Sequence, residues 1–199
     1  MLTLYFAPGS SSMAAHIALY EVGLPFEARP ISFNKREQRE PWFLALNPLG
    51  TVPLLLIDGQ PLIEVAAILF YLARRCPDAR LWPEAQLDAQ AHIVSWMSFI
   101  ASSVHPALRR GEEYVRKIYT HIEDRMSDTW LTGDYSIADI HLFRLFWRAS
   151  HTLTLDPADF PKLYAHRTRM LERPAVQKTI EVESAIGYEI LGFRGPTSS

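Results

Sequence analysis

The sequence predicts an α/β domain followed by an all-α domain. Two observations support this prediction. Strand and helix patterns alternate over residues 1–76, whereas only helical periodicity recurs over residues 88–199. Between these regions, residues 77–87 contain two prolines and indicate a linker. The chain therefore divides into a first domain (1–76), a linker (77–87) and a helical second domain (88–199).

The composition is that of an ordinary globular protein with enough apolar material for a core. Hydrophobic residues make up 48% and charged residues 21% of the 199 residues, which excludes a disordered or low-complexity chain. The 20 basic and 22 acidic residues give a net charge of −2. The chain therefore lacks the excess of basic residues that would predict a nucleic-acid partner. The longest apolar run, residues 65–73, is too short to span a membrane.

Cysteine and histidine give no sign of a metal or a disulfide. A single thiol, Cys76, cannot form an internal disulfide, a redox pair or a thiolate zinc site. The seven histidines show no ligand spacing at i, i+3 or i, i+4. No basic residue typical of a signal peptide precedes Arg29. We therefore expect a cytoplasmic protein without a bound metal.

The first part of the α/β domain is predicted as strand, helix and strand. Apolar residues 2–6 indicate a buried strand, and the serine triplet 10–12 offers N-caps for a helix that ends at Gly23. A second strand is predicted over 26–33. Pro30 confines this strand to an edge or an end of the sheet.

The remainder of this domain is predicted as a polar helix, a hairpin and an apolar helix. The polar helix covers 35–44 and precedes a turn at 47–50. Asp58-Gly59 favours a type I′ turn within a hairpin over 54–63. A helix over 64–75 follows, with an acid in its first turn. The order predicts a parallel strand pair and an antiparallel hairpin in one sheet.

The second domain is predicted to be a set of helices around one buried helix. Ser136 and Asp139 resemble a capping box and open a run that is apolar nearly all round, so this helix is expected at the centre. The last dozen residues are expected to form a tail. The other predicted helices cover residues 88–104, 112–126, 161–172 and 174–185.

Four segments, in this order along the chain, carry a family resemblance. They are 4–12 (LYFAPGSSS) with 16–19 (HIAL), 47–53 (NPLGTVP), 62–68 (LIEVAAI) with 71–72 (YL), and 134–139 (DYSIAD). Together with the domain order, they resemble the cytosolic glutathione transferase family, and the first is similar to the opening of the bacterial beta class. The resemblance implies a thioredoxin-like first domain (βαβαββα) that binds glutathione, and a homodimer formed through the third helix and the long helix of the second domain.

The resemblance implies that the protein stabilises the thiolate of glutathione. A free thiol of this kind, with a pKa of about 9, is mostly protonated at neutral pH, and the thiolate is the nucleophile. The family pattern places Ser11 at the sulfur, where beta-class members usually carry a cysteine, with Ser10 as the near alternative and Tyr5 less favoured. A helix N-terminus there supplies N–H groups and partial positive charge. From residue type alone, simple helix capping by the serines is the better explanation.

The resemblance also implies which residues hold the tripeptide. Val52, before a cis bond to Pro53, pairs its backbone with the ligand like an added strand. Glu64 meets the α-ammonium, and the N–H of Val65 meets the α-carboxylate, although many members carry serine at this second position. Lys35 is expected near the glycyl carboxylate. The alternatives are an ordinary trans-proline turn and a surface acid at a helix start.

One polar stripe on the long helix completes the expected site. In the family this helix lines the cleft between the domains, so Ser102 and His105 are expected to contact the ligand. By itself, a small polar stripe is typical of a solvated face. The stripe consists of Ser95, Ser98, Ser102 and His105.

Other polar residues have simpler explanations. His16 is expected in the core or half-buried in its helix. His141, Arg144 and Arg148 share one helical stripe, for which a solvated or interdomain face is sufficient.

We therefore predict an enzyme that binds reduced glutathione and directs the thiolate at an electrophilic, largely apolar small molecule. This second substrate is expected between the loop over 7–10 and the helix carrying Ser102 and His105. One alternative is a binding or interaction protein with little catalysis, motivated by Ser11 and Val65. Another is a specialised glutathione-dependent isomerase, peroxidase, dehalogenase or lyase, since the fold does not choose among these.

Overall fold

The computed structural model describes residues 1–189, which form the predicted α/β domain followed by the helical domain. The strands of the first domain run in the order β2-β1-β3-β4. β1 pairs parallel with β2, and β3 pairs antiparallel with both β1 and β4. The elements are β1 (Leu2–Phe6), α1 (Ser12–Val22), β2 (Phe26–Pro30), α2 (Pro41–Leu46), β3 (Leu54–Ile57), β4 (Gln60–Ile63) and α3 (Val65–Arg75). The thioredoxin-like βαβαββα order is confirmed.

The turn signals of the first domain act as predicted. Gly23, at φ 66°, ends α1 in the left-handed conformation that glycine adopts without steric cost. Asp58 and Gly59 both have positive φ, of 49° and 85°, as a type I′ hairpin turn requires. Pro30 is the last residue of the edge strand β2, where its missing N–H leaves no gap in the sheet.

The predicted polar helix over 35–44 is present but misplaced, because residues 35–40 are not α-helical. A single 3₁₀ turn, Glu37–Arg39, lies there instead, and α2 begins only at Pro41. Proline disfavours helical geometry in the residue before it, and Glu40 is accordingly extended at ψ 145°. Pro41 itself fits the first helical position, because its absent N–H has no partner there in any helix.

The second domain contains five helices within the described residues, as predicted. α4 continues into one π-helical turn over Ile100–Val104, so the long helix is not regular to its end. The predicted tail falls largely on residues 190–199, which lie outside the described residues. The helices are α4 (Leu87–Phe99), α5 (Glu112–Arg125), α6 (Ile137–Thr152), α7 (Pro161–Leu171) and α8 (Pro174–Ile186).

The buried helix α6 organises the core, as predicted. Its capping box is present: the Ser136 hydroxyl accepts from the Ala138 N–H, and the Asp139 carboxylate accepts from the Ser136 N–H at 2.9 Å. Phe143, Phe146 and Trp147 are almost fully buried. α6 packs against α1 and α3 of the first domain as well as α4 and α7 of the second, so one core joins the two domains. None of the helices within residues 1–189 has the length and hydropathy of a membrane span.

Candidate active site

A cavity of about 480 Å³ lies between the domains, at the start of α1. The first domain lines it with, among others, Ser10, Ser11, Val52, Pro53, Glu64 and Val65. The helical domain contributes Ala101, His105, Arg109, His141, Arg144 and Arg148. The structure thus brings together all the predicted site residues except Lys35 and Ser102. Five segments distant in sequence from the start of α1 complete the lining, within residues 33–38, 50–53, 64–66, 101–109 and 141–148.

The hydroxyl of Ser10 is already hydrogen-bonded at the start of α1. The Ser12 hydroxyl donates to the Ala7 carbonyl at 3.1 Å and accepts from the Ala7 N–H at 3.0 Å. The Ser10 and Ser12 oxygens lie 2.7 Å apart. Because the Ser12 proton is used on Ala7, Ser10 donates to Ser12, and its own proton is not available to a ligand.

The hydroxyl of Ser11 faces the cavity. This residue occupies the N-cap position, but it makes no side-chain cap hydrogen bond to α1. Instead the half-buried hydroxyl donates to the carbonyl of Val52 at 3.1 Å. The Val52–Pro53 peptide is cis, as the family resemblance predicted. The expectation that the serines serve as side-chain caps is therefore wrong for Ser11. Tyr5 does not line the cavity, and its hydroxyl accepts from Arg29 at 3.1 Å.

Glu64 is held in an uncommon backbone conformation at the edge of the cavity. Its φ of 71° lies in the left-handed region, which residues other than glycine seldom occupy. The helix begins at Val65, so the expected acid of the first turn lies just outside α3. The exposed Glu64 carboxylate and the free N–H groups of the first turn of α3 thus adjoin the same cavity. Such conformations concentrate at functional sites.

The polar stripe on the long helix is shifted by the π turn. An i→i+5 turn adds one residue, and the His105 N–H accordingly donates to the Ile100 carbonyl at 2.9 Å. As a result Ala101 and His105 line the cavity, whereas Ser102 is exposed and its oxygen lies 3.4 Å from that of Ser103. Lys35 is also exposed and lies outside the lining; it is in a turn that precedes α2 and is not carried by that helix.

The loop before the serines is fixed by two buried charged residues of the helical domain. The Glu183 carboxylate, on α8, accepts from the Gly9 N–H at 2.6 Å. Its other oxygen lies 2.9 Å from Nδ1 of His16, which is fully buried as expected. The Arg144 guanidinium, on α6, donates to the Gly9 carbonyl at 2.9 and 3.3 Å. We call Gly9 with Glu183 and Arg144 the Gly9 clamp.

Sequence reasoning missed the Gly9 clamp. Gly9 and Glu183 are 174 residues apart, so no local spacing connects them. One signal was available. Along α8 the buried positions are Ala175, Val176, Thr179 and Glu183, so an acid occupies the core-facing side of the helix. Since a buried acid requires partners, its position indicated a hidden polar contact.

The helical side of the cavity is cationic. The solvated face expected for His141, Arg144 and Arg148 is wrong for the first two, which are each only 3% exposed. The interdomain position is confirmed, because all three line the cavity. Burial, then the charge of Arg148, lowers the pKa of Arg144 to about 9, so this guanidinium stays charged at neutral pH.

The two imidazoles of the cavity are neutral at pH 7. Burial, followed by the charges of nearby arginines, lowers the pKa of His105 to about 4. Burial, followed by His105 and Arg144, lowers the pKa of His141 to about 3. Neither ring is a strong base, and neither adds positive charge near neutral pH.

A second cavity, of about 900 Å³, contains none of the predicted site residues. It lies among the linker, α4 and the loop before α6, and its lining includes Trp82, Trp96 and Arg125. Despite its larger volume, it includes neither the first turn of α1 nor a hydroxyl from the serine triplet. Within residues 1–189, no cluster of three or more His, Cys, Asp or Glu side chains is arranged to hold a metal ion.

A thioredoxin-like domain with a hydroxyl at the start of α1, facing a helical domain, defines the class of this protein. Residues 1–74 match the family model "Glutathione S-transferase, N-terminal domain" and residues 87–174 match "Glutathione S-transferase, C-terminal domain". The chain therefore belongs to the glutathione S-transferase family, which is a family of enzymes. The resemblance inferred from the four segments is confirmed.

Individual relatives agree with this assignment. The chain is 31% identical to the glutathione S-transferase GstA of Escherichia coli O157:H7, over 92% of this chain and 98% of that protein. The structure of a glutathione transferase homologue from Sulfitobacter, with bound glutathione, superposes with a TM-score of 0.81 at 31% identity, covering 92% and 98% of the two chains. The bacterial beta class enzyme of Sphingomonas chungbukensis gives a TM-score of 0.79 at 31% identity, covering 91% and 98%.

Proposed function

We propose that this enzyme binds reduced glutathione in the 480 Å³ cavity, stabilises its thiolate at Ser11 and transfers the sulfur to an electrophilic small molecule. The observation that supports it best is the difference between neighbouring hydroxyls. Ser11 donates only to the Val52 carbonyl at the cavity wall, whereas the proton of Ser10 is used on Ser12. Because the Val52 backbone is expected to pair with the tripeptide, the Ser11 proton can turn from that carbonyl to a sulfur anion.

The first domain offers complementary groups to the rest of the tripeptide. Glutathione carries one ammonium and two carboxylates at neutral pH. Glu64 is the one carboxylate among the described residues that line the cavity, and it suits the ammonium. The N–H of Val65, in the first turn of α3, suits the adjacent α-carboxylate. The backbone of Val52 is placed to pair with the peptide.

The thiolate is stabilised by hydrogen-bond donors and by the positive end of α1, and no strong base is needed to take the thiol proton. With pKa values near 4 and 3, His105 and His141 do not compete for the thiol proton at pH 7. The Ser11 hydroxyl and the N-terminus of α1 would act directly on the sulfur. The thiolate then attacks the electrophilic carbon, forming a C–S bond as the leaving group departs with its electron pair.

Replacing Ser11 by alanine tests this role. We expect kcat/KM at pH 7 to fall by about ten- to a hundredfold, since a hydrogen bond to a charged group contributes about 1.5–3 kcal/mol. The pKa of the bound thiol should rise by about one to two units, which a pH titration of thiolate ultraviolet absorbance measures. Ser10→Ala is the matched control. If Ser10→Ala shows the loss and Ser11→Ala does not, the wrong serine has been chosen.

Binding without turnover is the alternative, because Val65 provides no side-chain hydroxyl beside the expected α-carboxylate. Calorimetry with reduced glutathione, together with an assay using a generic aromatic halide, distinguishes a transferase from a protein that only binds. Binding with turnover supports the transferase. Binding or interaction alone, with no conjugate formed at saturating glutathione, favours the alternative.

We also propose the homodimer that the resemblance implies. Exposed apolar side chains lie on the two expected helices: Phe70 on α3 is 47% exposed, and Leu87 and Val94 on α4 are 79% and 52% exposed. A pair of substitutions, Phe70→Glu with Val94→Glu, is expected to halve the mass measured by light scattering. Ile186→Glu, at another exposed apolar position, is the control. A wild-type monomer at micromolar concentration would contradict the proposal.

A further inference from the structure

The helical wall of the cavity carries positive charge that the tripeptide contacts proposed above do not use. Three guanidinium groups line this wall, from Arg109, Arg144 and Arg148. Within the described lining they face the single carboxylate of Glu64, which belongs to the opposite domain. Arg144 is used on Gly9, which leaves Arg109 and Arg148 without an assigned role.

Neither of these two arginines has a protein anion to balance its charge. Within residues 1–189, neither the Arg109 nor the Arg148 side chain forms an ion pair or a hydrogen bond with another residue. The Nε atom of Arg148 is buried and has no hydrogen-bond partner there. The two positive charges also repel each other, and burial and Arg109 lower the pKa of Arg148. A buried donor without an acceptor is uncommon in folded proteins and indicates a missing partner.

A buried polar group in the same wall supports this conclusion. His141 lines the cavity and is 3% exposed, and its Nδ1 atom has no partner among the described residues. The wall thus combines two unpaired guanidinium groups with an unpaired imidazole nitrogen. Planar guanidinium groups match the two oxygens of a carboxylate, which they bind with paired hydrogen bonds.

The position of Arg148 relates this anion site to the sulfur. Arg144 and Arg148 are four residues apart on α6, so they share one face of the helix, one turn apart. Arg144 contacts Gly9, two residues before Ser11. An anion at Arg148 would therefore lie about one helical turn, roughly 5 Å, beyond the part of the wall that faces the sulfur position.

We propose that the electrophilic substrate carries a carboxylate, which Arg148 and Arg109 bind on the helical side of the cavity, a few bonds from the carbon that the thiolate attacks. This inference rests on the proposed transferase function and narrows its substrate class. It replaces the expectation of a largely apolar electrophile. In the displacement reaction the sulfur forms a bond to that carbon, halide leaves with the electron pair of its bond, and the carboxylate is unchanged.

A matched pair of substrates tests the proposal. A chloronitrobenzoate and the corresponding chloronitrobenzamide differ in charge but have nearly the same shape. Each enzymatic kcat/KM is divided by the uncatalysed rate constant with glutathione at the same pH, which removes their different intrinsic reactivities. We expect the wild-type enzyme to favour the benzoate by about tenfold or more, as for a hydrogen bond to a charged group. Equal corrected values for the two substrates would overturn the proposal.

Two variants show whether the preference resides at Arg148. Arg148→Gln is expected to reduce the benzoate-to-benzamide ratio by about tenfold or more, with a far smaller change in KM for glutathione. Arg167→Gln is the matched control, since Arg167 also has a buried, unpartnered Nε but lies on α7 outside the cavity lining. A thermal unfolding scan establishes that both variants fold.

Failure of this proposal is distinguishable from failure of the proposed function. If the benzamide is turned over normally and Arg148→Gln raises only the KM for glutathione, the arginine serves the tripeptide and the carboxylate proposal is wrong. If neither substrate is turned over, while calorimetry shows glutathione binding, the transferase function itself fails. A ratio that falls equally in Arg148→Gln and Arg167→Gln also overturns the assignment.

Discussion

Replacing Asp139 by alanine is expected to lower the free energy of unfolding by about 3–5 kcal/mol, because the truncation leaves several buried hydrogen-bonding groups without a partner. The carboxylate is fully buried. It accepts from the Leu131 N–H at 2.8 Å, the Ser136 N–H at 2.9 Å and the Ser136 hydroxyl at 3.1 Å. Nε2 of His166 lies 3.1 Å away. One side chain thus joins the start of α6, the preceding loop and α7.

Chemical denaturation measures this effect. Asp134→Ala is the matched control, because this exposed acid lies in the same segment and its removal should change stability by no more than about 0.5 kcal/mol. A lower midpoint with an unchanged m value would show that the substitution lowers the free energy of unfolding. Equal midpoints for Asp139→Ala and Asp134→Ala would show that the buried network is not stabilising.

Replacing Glu183 by alanine is expected to affect both stability and catalysis. The change leaves the Gly9 N–H and His16 without an acceptor in the core, for which we expect a loss of about 3–5 kcal/mol. It also releases one half of the Gly9 clamp, two residues before Ser11. The hydroxyl should then be less well positioned, so the pKa of the bound glutathione thiol should rise.

The thiol titration separates this positioning role from a purely structural one. Glu181→Ala is the control, since Glu181 is an exposed acid on the same helix. Measurements are made well below the unfolding temperature of each variant, so that all the enzyme is folded. If Glu183→Ala lowers stability but leaves both the thiol pKa and kcat/KM unchanged, the clamp supports the fold and does not position the serine.

Local features of the fold were predictable because the signals lie in neighbouring residues. Gly23, the Asp58-Gly59 pair and the capping box at Ser136 each act within a few residues of themselves. Pro41 acts equally locally, and the misplaced polar helix came from neglecting it. The first-domain half of the site followed from the family segments for the same reason, because each segment is short and continuous.

The helical half of the site was harder to predict because it depends on long-range geometry. The π turn at Ile100–Val104 changes which residues face inward, and no period-3.6 pattern anticipates it. The cationic wall arises only when α6 is placed against the loop before α1. Arg144 is separated from Gly9 by 135 residues, so its burial could not be inferred from its own neighbours.

The Gly9 clamp has a consequence for the order in which the candidate site is assembled during protein synthesis. The chain emerges from the ribosome with its N-terminus first, so every strand of the sheet emerges long before Glu183 does. The loop beside Ser11 therefore lacks the carboxylate that holds the Gly9 N–H until α8 has been translated. A chain that stops before α8 would keep the serines of the first domain but lack the carboxylate half of the Gly9 clamp.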